Sequence, residues 1–120
     1  MKGVKTANPQ LTELIRYLRK QSRESKAEIW KSLAEHLSRS RRKRVTVNIS
    51  RLNRFTQKNE TVAVPGKVLG AGEISHPITV AAFAFSEKAK EKIEKAKGKC
   101  LSLSDLVKKN PKGSNVKIIG

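Results

Sequence analysis

The chain has 120 residues and a formal net charge of +17, from 27 Lys and Arg against 10 Asp and Glu. That length suits one domain with a modest core, and 37% hydrophobic with 31% charged residues excludes a wholly disordered chain. A lone Cys100 excludes an intrachain disulfide and no apolar run approaches the roughly 20 residues of a membrane span, so a soluble intracellular protein with an anionic partner, nucleic acid first, is expected.

Met1–Ala7 reads as a short basic arm, loose until bound, with no hydrophobic signal core after Lys2 and Lys5. Asn8-Pro9 reads as a helix cap with Pro at the first helical position, and Leu11, Leu14, Ile15 and Leu18 follow at helical spacing. Glu13 early and Arg16, Arg19, Lys20 and Arg23 late suit the helix dipole. Ser25-x-x-Glu28 reads as a capping box that opens a second helix, with Ile29, Trp30, Leu33, Ala34 and Leu37 on its buried face. The short connection between the two predicts an antiparallel pair.

A basic connection from Arg39 to Arg44 leads into a predicted strand, Val45–Ile49, and one helical turn over Ser50–Phe55. Thr61–Val64 is predicted as a short strand ended by a turn at Pro65-Gly66, with Lys67-Val68-Leu69 beyond it and a second break at Gly70-Ala71-Gly72. Ile78–Phe85 reads as a strand buried on both faces. Ser86 then caps a surface helix with a thin stripe of Ala89, Ile93 and Ala96, stopped at Gly98. Cys100–Leu103 is a short strand, and a stubby helix runs from Ser104 to Asn110-Pro111. A polar turn, Lys112-Gly113-Ser114-Asn115, precedes a closing strand at Val116–Ile119. The alternation predicts an α/β domain with a small sheet: a helical pair and basic connection over 8–44, then an α/β core over 45–120.

All nine arginines lie in the first half, so the intimate contacts are expected there and a more diffuse field from the lysines of the second half. Arg39, Arg41, Arg42, Lys43 and Arg44 form the densest candidate for phosphate neutralisation; a solvated charge run or an import signal is the bland alternative. Asn48, Arg51, Asn53 and Arg54 offer guanidinium forks and amides for phosphates, base edges or 2′-hydroxyls, unless the asparagines merely cap turns. Lys67, Lys112 and Asn115 are further candidates for RNA contact, set against plain turns. Phe55, beside Arg54, is the candidate for stacking on a base, whereas Trp30, Phe83 and Phe85 read as core.

Gly70-x-Gly72 fails as a nucleotide fingerprint because Ser75 stands where the third glycine is needed. Lys67 precedes the required glycine spacing and is not followed by Ser or Thr, so a P-loop fails too; a structural turn requiring positive φ is the better reading of Pro65-Gly66-Lys67 and of Gly70-Ala71-Gly72. His36, His76 and Cys100 have no ligand spacing and no nucleophile–base partner, so neither a metal site nor an enzyme is expected. A buried small hydrophobe is the preferred reading of Cys100.

Several segments together resemble a known family. Val64-Pro65-Gly66-Lys67-Val68-Leu69-Gly70-x-Gly72-Glu73, Thr79-Val80-Ala81-Ala82 and the helix opened by Ser86 look like large-subunit ribosomal protein eighteen-e of archaea and eukaryotes, a relative of the bacterial large-subunit ribosomal protein fifteen. Asn8-Pro9, the Trp30 helix, Val47–Arg54 and Asn110–Val116 fit as well, at the length of the compact archaeal form. The resemblance implies an irregular ββα core after the helical segment and a structural protein of the large ribosomal subunit. Its implied partners are large-subunit rRNA and neighbouring ribosomal proteins, without catalysis, cofactor, small-molecule substrate or membrane. Lys97-Gly98 departs from the Gly-Gly more usual there. A DNA-compacting or chromatin-like basic protein is the alternative, and a nuclease or RNA-modifying enzyme stands third.

Overall fold

A computed structural model describes residues 9–39 and 45–120. The expected arm at 1–7, the Asn8 cap and the candidate contacts Arg41, Arg42, Lys43 and Arg44 lie outside the described residues.

Helix α1 (Pro9–Ser25) opens on proline, whose missing N–H costs nothing in a first turn. Its Leu11 and Leu18 pack on Trp30, Leu33, Ala34 and Leu37 of α2 (Glu28–Leu37). The junction differs from the expected capping box. Ser25 is the last residue of α1, Lys26 turns left-handed at φ 54, and the Ala27 N–H donates to the Ser22 carbonyl at 3.2 Å. This backbone closure of α1 uses the residue that the pattern gives to α2, which starts from Ala27 without a side-chain cap.

The rest alternates: β1 (Val45–Asn48), α3 (Ile49–Phe55), β2 (Thr61–Leu69), β3 (Thr79–Phe85), α4 (Glu87–Lys95), β4 (Lys99–Ser102), α5 (Leu103–Lys109) and β5 (Val116–Ile118). All pairings are parallel, in the order β1-β2-β3-β4. With β3 along one edge of β2, the other edge is shared. β5 takes its first half, Thr61–Ala63, and β1 its second, Gly66–Leu69.

The sheet is buried on both faces, as the apolar run in β3 requires. Val62, Val64, Val68, Val80 and Ala82 face Ile49 and Leu52 of α3 and Ala89 and Ile93 of α4. On the opposite face the small side chains Ala63 and Ala81 lie against Leu18, Trp30 and Leu33 of the helical pair, with Leu103, Leu106 and Val107 of α5. The expected α/β architecture, a helical pair ahead of a small irregular core, is what forms.

One predicted break does not occur. β2 runs unbroken through Pro65-Gly66, where the register with β3 slips between Val64 and Lys67. A bulge absorbs the proline, which cannot donate to a ladder. Gly66 is not left-handed. Its place follows from contact, since a Cβ there would stand 2.1 Å from the Val45 carbonyl oxygen. At the second break only Gly72 has positive φ, at 92°, and it closes on Ser50.

Ser86 caps α4 by accepting from the Ala89 N–H at 3.1 Å, and Ser102 caps α5 in the same way through Asp105. The C-terminus of α4 explains the departure at Lys97. Gly98 N–H donates to the Ile93 carbonyl and Lys97 N–H to that of Glu94, with Lys97 left-handed at φ 67. A β-carbon is strained there, and glycine is not. Lys97→Gly is therefore expected to stabilise the fold by about 0.5–1 kcal/mol, once the extra freedom of glycine in the unfolded chain is set against relief of about 1–2 kcal/mol. Urea unfolding with an unchanged slope and a higher midpoint is the expected result.

Candidate nucleic-acid interface

The stretch that reads continuously as basic in sequence is divided between two layers. Arg39 is exposed just past α2. Thr46 and Asn48 alternate with the buried Val47, so they point away from the α3 side, and Thr46 pairs across the ladder with the exposed Lys67. Asn48 and Lys67 thus share one strand pair, β1–β2, on the face that carries the helical pair lower down. Asn48 occupies the N-cap of α3 without a side-chain cap bond, so the turn-cap reading of that residue fails and its amide is exposed.

Beyond Asn48 the chain crosses to the other face. Ile49 and Leu52 of α3 are buried against the sheet, which turns Arg51 and Arg54 outward, both exposed. Asn53 does serve structure: its Oδ1 accepts from the Ser75 backbone N–H at 3.0 Å and from the Ser75 hydroxyl at 3.1 Å. It anchors the loop after β2 rather than presenting a whole amide. Thr56, which is buried, donates to the Leu52 carbonyl at 2.6 Å, so the His76 Nε2 2.8 Å away must be the donor to its hydroxyl oxygen. His36 likewise spends Nδ1 on the Ser32 carbonyl.

The glycine loop is held from outside. Lys92 donates to the carbonyls of Gly70 (3.0 Å) and Gly72 (2.8 Å) and lies 3.6 Å from the Glu73 carboxylate. A lysine bound to the loop carbonyls supports the turn reading over a phosphate cradle. Lys112 and Asn115 sit in the turn that enters β5, at the Thr61 end of the sheet and so away from Asn48 and Lys67. Asn110 braces that turn, donating to the Ser114 carbonyl and accepting from the Ser114 N–H, and both candidates are exposed.

Two cationic features escape a sequence reading. Lys117 of β5 donates to the Phe55 carbonyl at 3.1 Å and pairs with Glu60 at 3.2 Å, joining groups 62 and 57 residues apart. The hydrogen bond from the Gln57 N–H, and after it Lys117, hold the Glu60 carboxyl below its usual range. No local pattern announces a lysine whose value lies in a long-range contact. The second is a recess of about 320 Å³ between α1 and α2, lined by Arg19, Ser22, Arg23, Lys31 and Glu35. The helix dipole is reason enough for its arginines in sequence, which hides their convergence.

Cys100 is half-buried on the core, and burial, with Glu94 nearby, raises its thiol to about 11. It stays protonated at neutral pH and is a packing group. Among the described residues no group of three or more His, Cys, Asp or Glu stands close enough to hold a metal. Three ion pairs form among them, through Lys20, Lys92 and Lys117. With 27 basic residues against 10 acidic ones, most cations have no acidic partner to meet in the fold.

The family model described as ribosomal protein 60S L18 and 50S L18e matches residues 1–120. The chain is 49% identical over 113 residues to a large ribosomal subunit protein eL18 of Methanospirillum hungatei, covering 94% of this chain and 93% of that one. It is 48% identical over 119 residues to that of Methanothermobacter thermautotrophicus, covering 99% and 98%. Against the Archaeoglobus fulgidus protein of the same name the identity is 45% over 116 residues, covering 97% and 99%.

Proposed function

We propose, from the premise that this chain belongs to the family of ribosomal proteins 60S L18 and 50S L18e, that it is a structural constituent of the large ribosomal subunit and binds large-subunit rRNA through its Arg and Lys surface. The observation that carries the reading is the excess of cations over carboxylates, +17 overall, with exposed cations among the described residues on both sides of the sheet, Lys67 on one and Arg51 and Arg54 on the other. A single groove would suit one strand of nucleic acid. Charge on several sides suits a protein embedded among several RNA segments.

The mechanism is electrostatic. Arg39, Asn48 and Lys67 approach one segment, and Arg51, Arg54 and the amide nitrogen left to Asn53 approach a second from the opposite layer, with Arg41, Arg42, Lys43 and Arg44 adding charge. Lys112 and Asn115 reach toward a third. Each phosphate neutralised lowers the repulsion that opposes packing of those segments and releases counterions. Guanidinium forks add geometry to that field, and the asparagine amides add contacts to base edges or 2′-hydroxyls. The whole chain acts as one rRNA-binding domain, with 1–7 as a basic arm, in ribosomes of the cytoplasm and beside neighbouring large-subunit proteins. No step of bond chemistry is assigned to it.

Sedimentation in a sucrose gradient at moderate salt should carry the protein with the large subunit; recovery at the top of the gradient would refute the reading. With isolated large-subunit rRNA, Arg41→Ala, Arg42→Ala and Arg44→Ala combined should flatten the plot of log affinity against log salt by about 2–3, at roughly 0.7–0.9 for each phosphate no longer neutralised. An unchanged slope would remove that cluster from the interface. Equal affinity for duplex DNA would favour the DNA-compacting alternative.

A further inference from the structure

We infer that Phe55, flanked by Arg51 and Lys117, holds one unpaired nucleotide of large-subunit rRNA by stacking on its base; this rests on the rRNA-binding reading above. Phe55 is 50% exposed, and among the described residues it is the only large hydrophobic side chain so exposed. The fold has no need of it outside. The buried stripe of α3 consists of Ile49 and Leu52, continued by Thr56, so Arg51 and Phe55 stand together on a different side, one helical turn apart. Trp30 is buried, and Tyr17, Phe83 and Phe85 are partly covered by the core.

The surroundings match a nucleotide in two respects. The Arg51 guanidinium carbon lies over the Phe55 ring, 5.5 Å from its centroid, a cation–π contact that orients the ring and occupies one of its two faces, so a base would stack on the other. Around them Arg51, Phe55, Lys117, Ile118, Ile119 and Gly120 line a recess of about 320 Å³. Its apolar part suits a base, and its two cations suit the phosphate attached to it. Lys117, which lines the recess, uses two of its three ammonium protons on the Phe55 carbonyl and Glu60, so one proton is left over for a phosphate oxygen. A base within a duplex has both faces covered, so the platform selects an unpaired nucleotide. An uncharged protein side chain would fit the ring but would offer the Arg51 guanidinium no anion, whereas Lys117 already meets Glu60.

The test compares full-length wild type with Phe55→Leu and Phe55→Trp for binding to large-subunit rRNA, with thermal unfolding as a control for structure. Leu keeps apolar area without a π-face, and Trp enlarges the π-face. Phe55→Leu should bind about tenfold more weakly, within the range measured for loss of one stacked base, and Phe55→Trp at least as tightly as wild type. Ultraviolet irradiation of reconstituted subunits should join residue 55 to a single nucleotide. Equal binding by Phe55→Leu and wild type overturns the inference, as does a crosslink to a ribosomal protein or none at all. If wild type itself fails to bind the rRNA, the proposed function falls instead.

Discussion

Gly66→Ala is expected to lower the melting temperature by about 12 °C, the largest effect of adding a single methyl group to this sheet. The new Cβ would stand 2.1 Å from the Val45 oxygen, 2.8 Å from the Val45 carbonyl carbon and 2.9 Å from its Cβ. Two of these atoms are backbone, so no rotamer relieves the clash and β1 as a whole must move outward. Val45 and Gly66 are the first paired residues of the β1–β2 ladder, which has only four rungs. Overpacking costs typically about 1–3 kcal/mol, and an unyielding backbone puts this case at the upper end. At about 4 °C per kcal/mol for a domain of this size, 3 kcal/mol gives the stated shift.

The damage should be local first. α3 follows β1 directly, so hydrogen exchange should accelerate over 45–55 while Thr61–Val64, held by β3 and β5, stays protected. Asn48, Arg51, Asn53 and Arg54 ride on that unit, so if they contact rRNA as proposed its affinity should fall as well. A melting temperature within about 2 °C of wild type would show that β1 does not approach β2 as closely as the register demands.

The fold was legible where periodicity was strong, and obscure where interatomic distance decides. Leu11, Leu14, Ile15 and Leu18 announce α1, and Val80 to Phe83 announce a strand with both faces covered, because burial imprints directly on residue type. Pro65-Gly66 misled for a physical reason. The pair carries the chemistry of a turn, but here the proline sits in a bulge and the glycine admits a neighbouring strand. Ser25 misled because Ser-x-x-Glu is a local signal, and the closure of α1 through Lys26 and Ala27 outcompetes it.

The candidate interface shows the same division. Charge and residue type mark Arg51, Arg54 and Lys67 as exposed cations, and they are exposed. Sequence order does not reveal that Asn48 and Arg51 fall on opposite layers, since three residues suffice for the chain to cross the sheet. Asn53 looks like a free amide until Ser75, 22 residues later, takes its oxygen. Lys117 becomes part of the Phe55 recess only because β5 pairs with β2 at the end where α3 terminates.

Trp30→Ala should be the most damaging side-chain truncation, and Trp30→Phe should separate its two roles. Trp30 is fully buried at the junction of α1, α2 and the sheet face bearing Ala63 and Ala81. Removing the indole costs about 3–5 kcal/mol, because the two helices and the sheet cannot all close on the void. That is a large share of the stability of a typical domain, about 5–15 kcal/mol in total, and lowers the melting temperature by about 12–20 °C. Circular dichroism is the proper monitor, since the variant has lost the chain's single tryptophan. Trp30 also donates from Nε1 to the Pro111 carbonyl at 2.7 Å, across 81 residues. Phenylalanine fills much of the volume and cannot make that bond, so Trp30→Phe should cost only about 2 kcal/mol, the sum of a partial packing loss and one hydrogen bond. Its effect should concentrate in the 110–115 turn, where Asn110 and Ser114 remain bonded but the turn loses its tie to α2. Faster proteolysis at Lys112 with nearly native circular dichroism is the expected signature. Equal destabilisation by Ala and Phe would mean that the hydrogen bond, and not the packed ring, secures the helical pair to the rest of the chain.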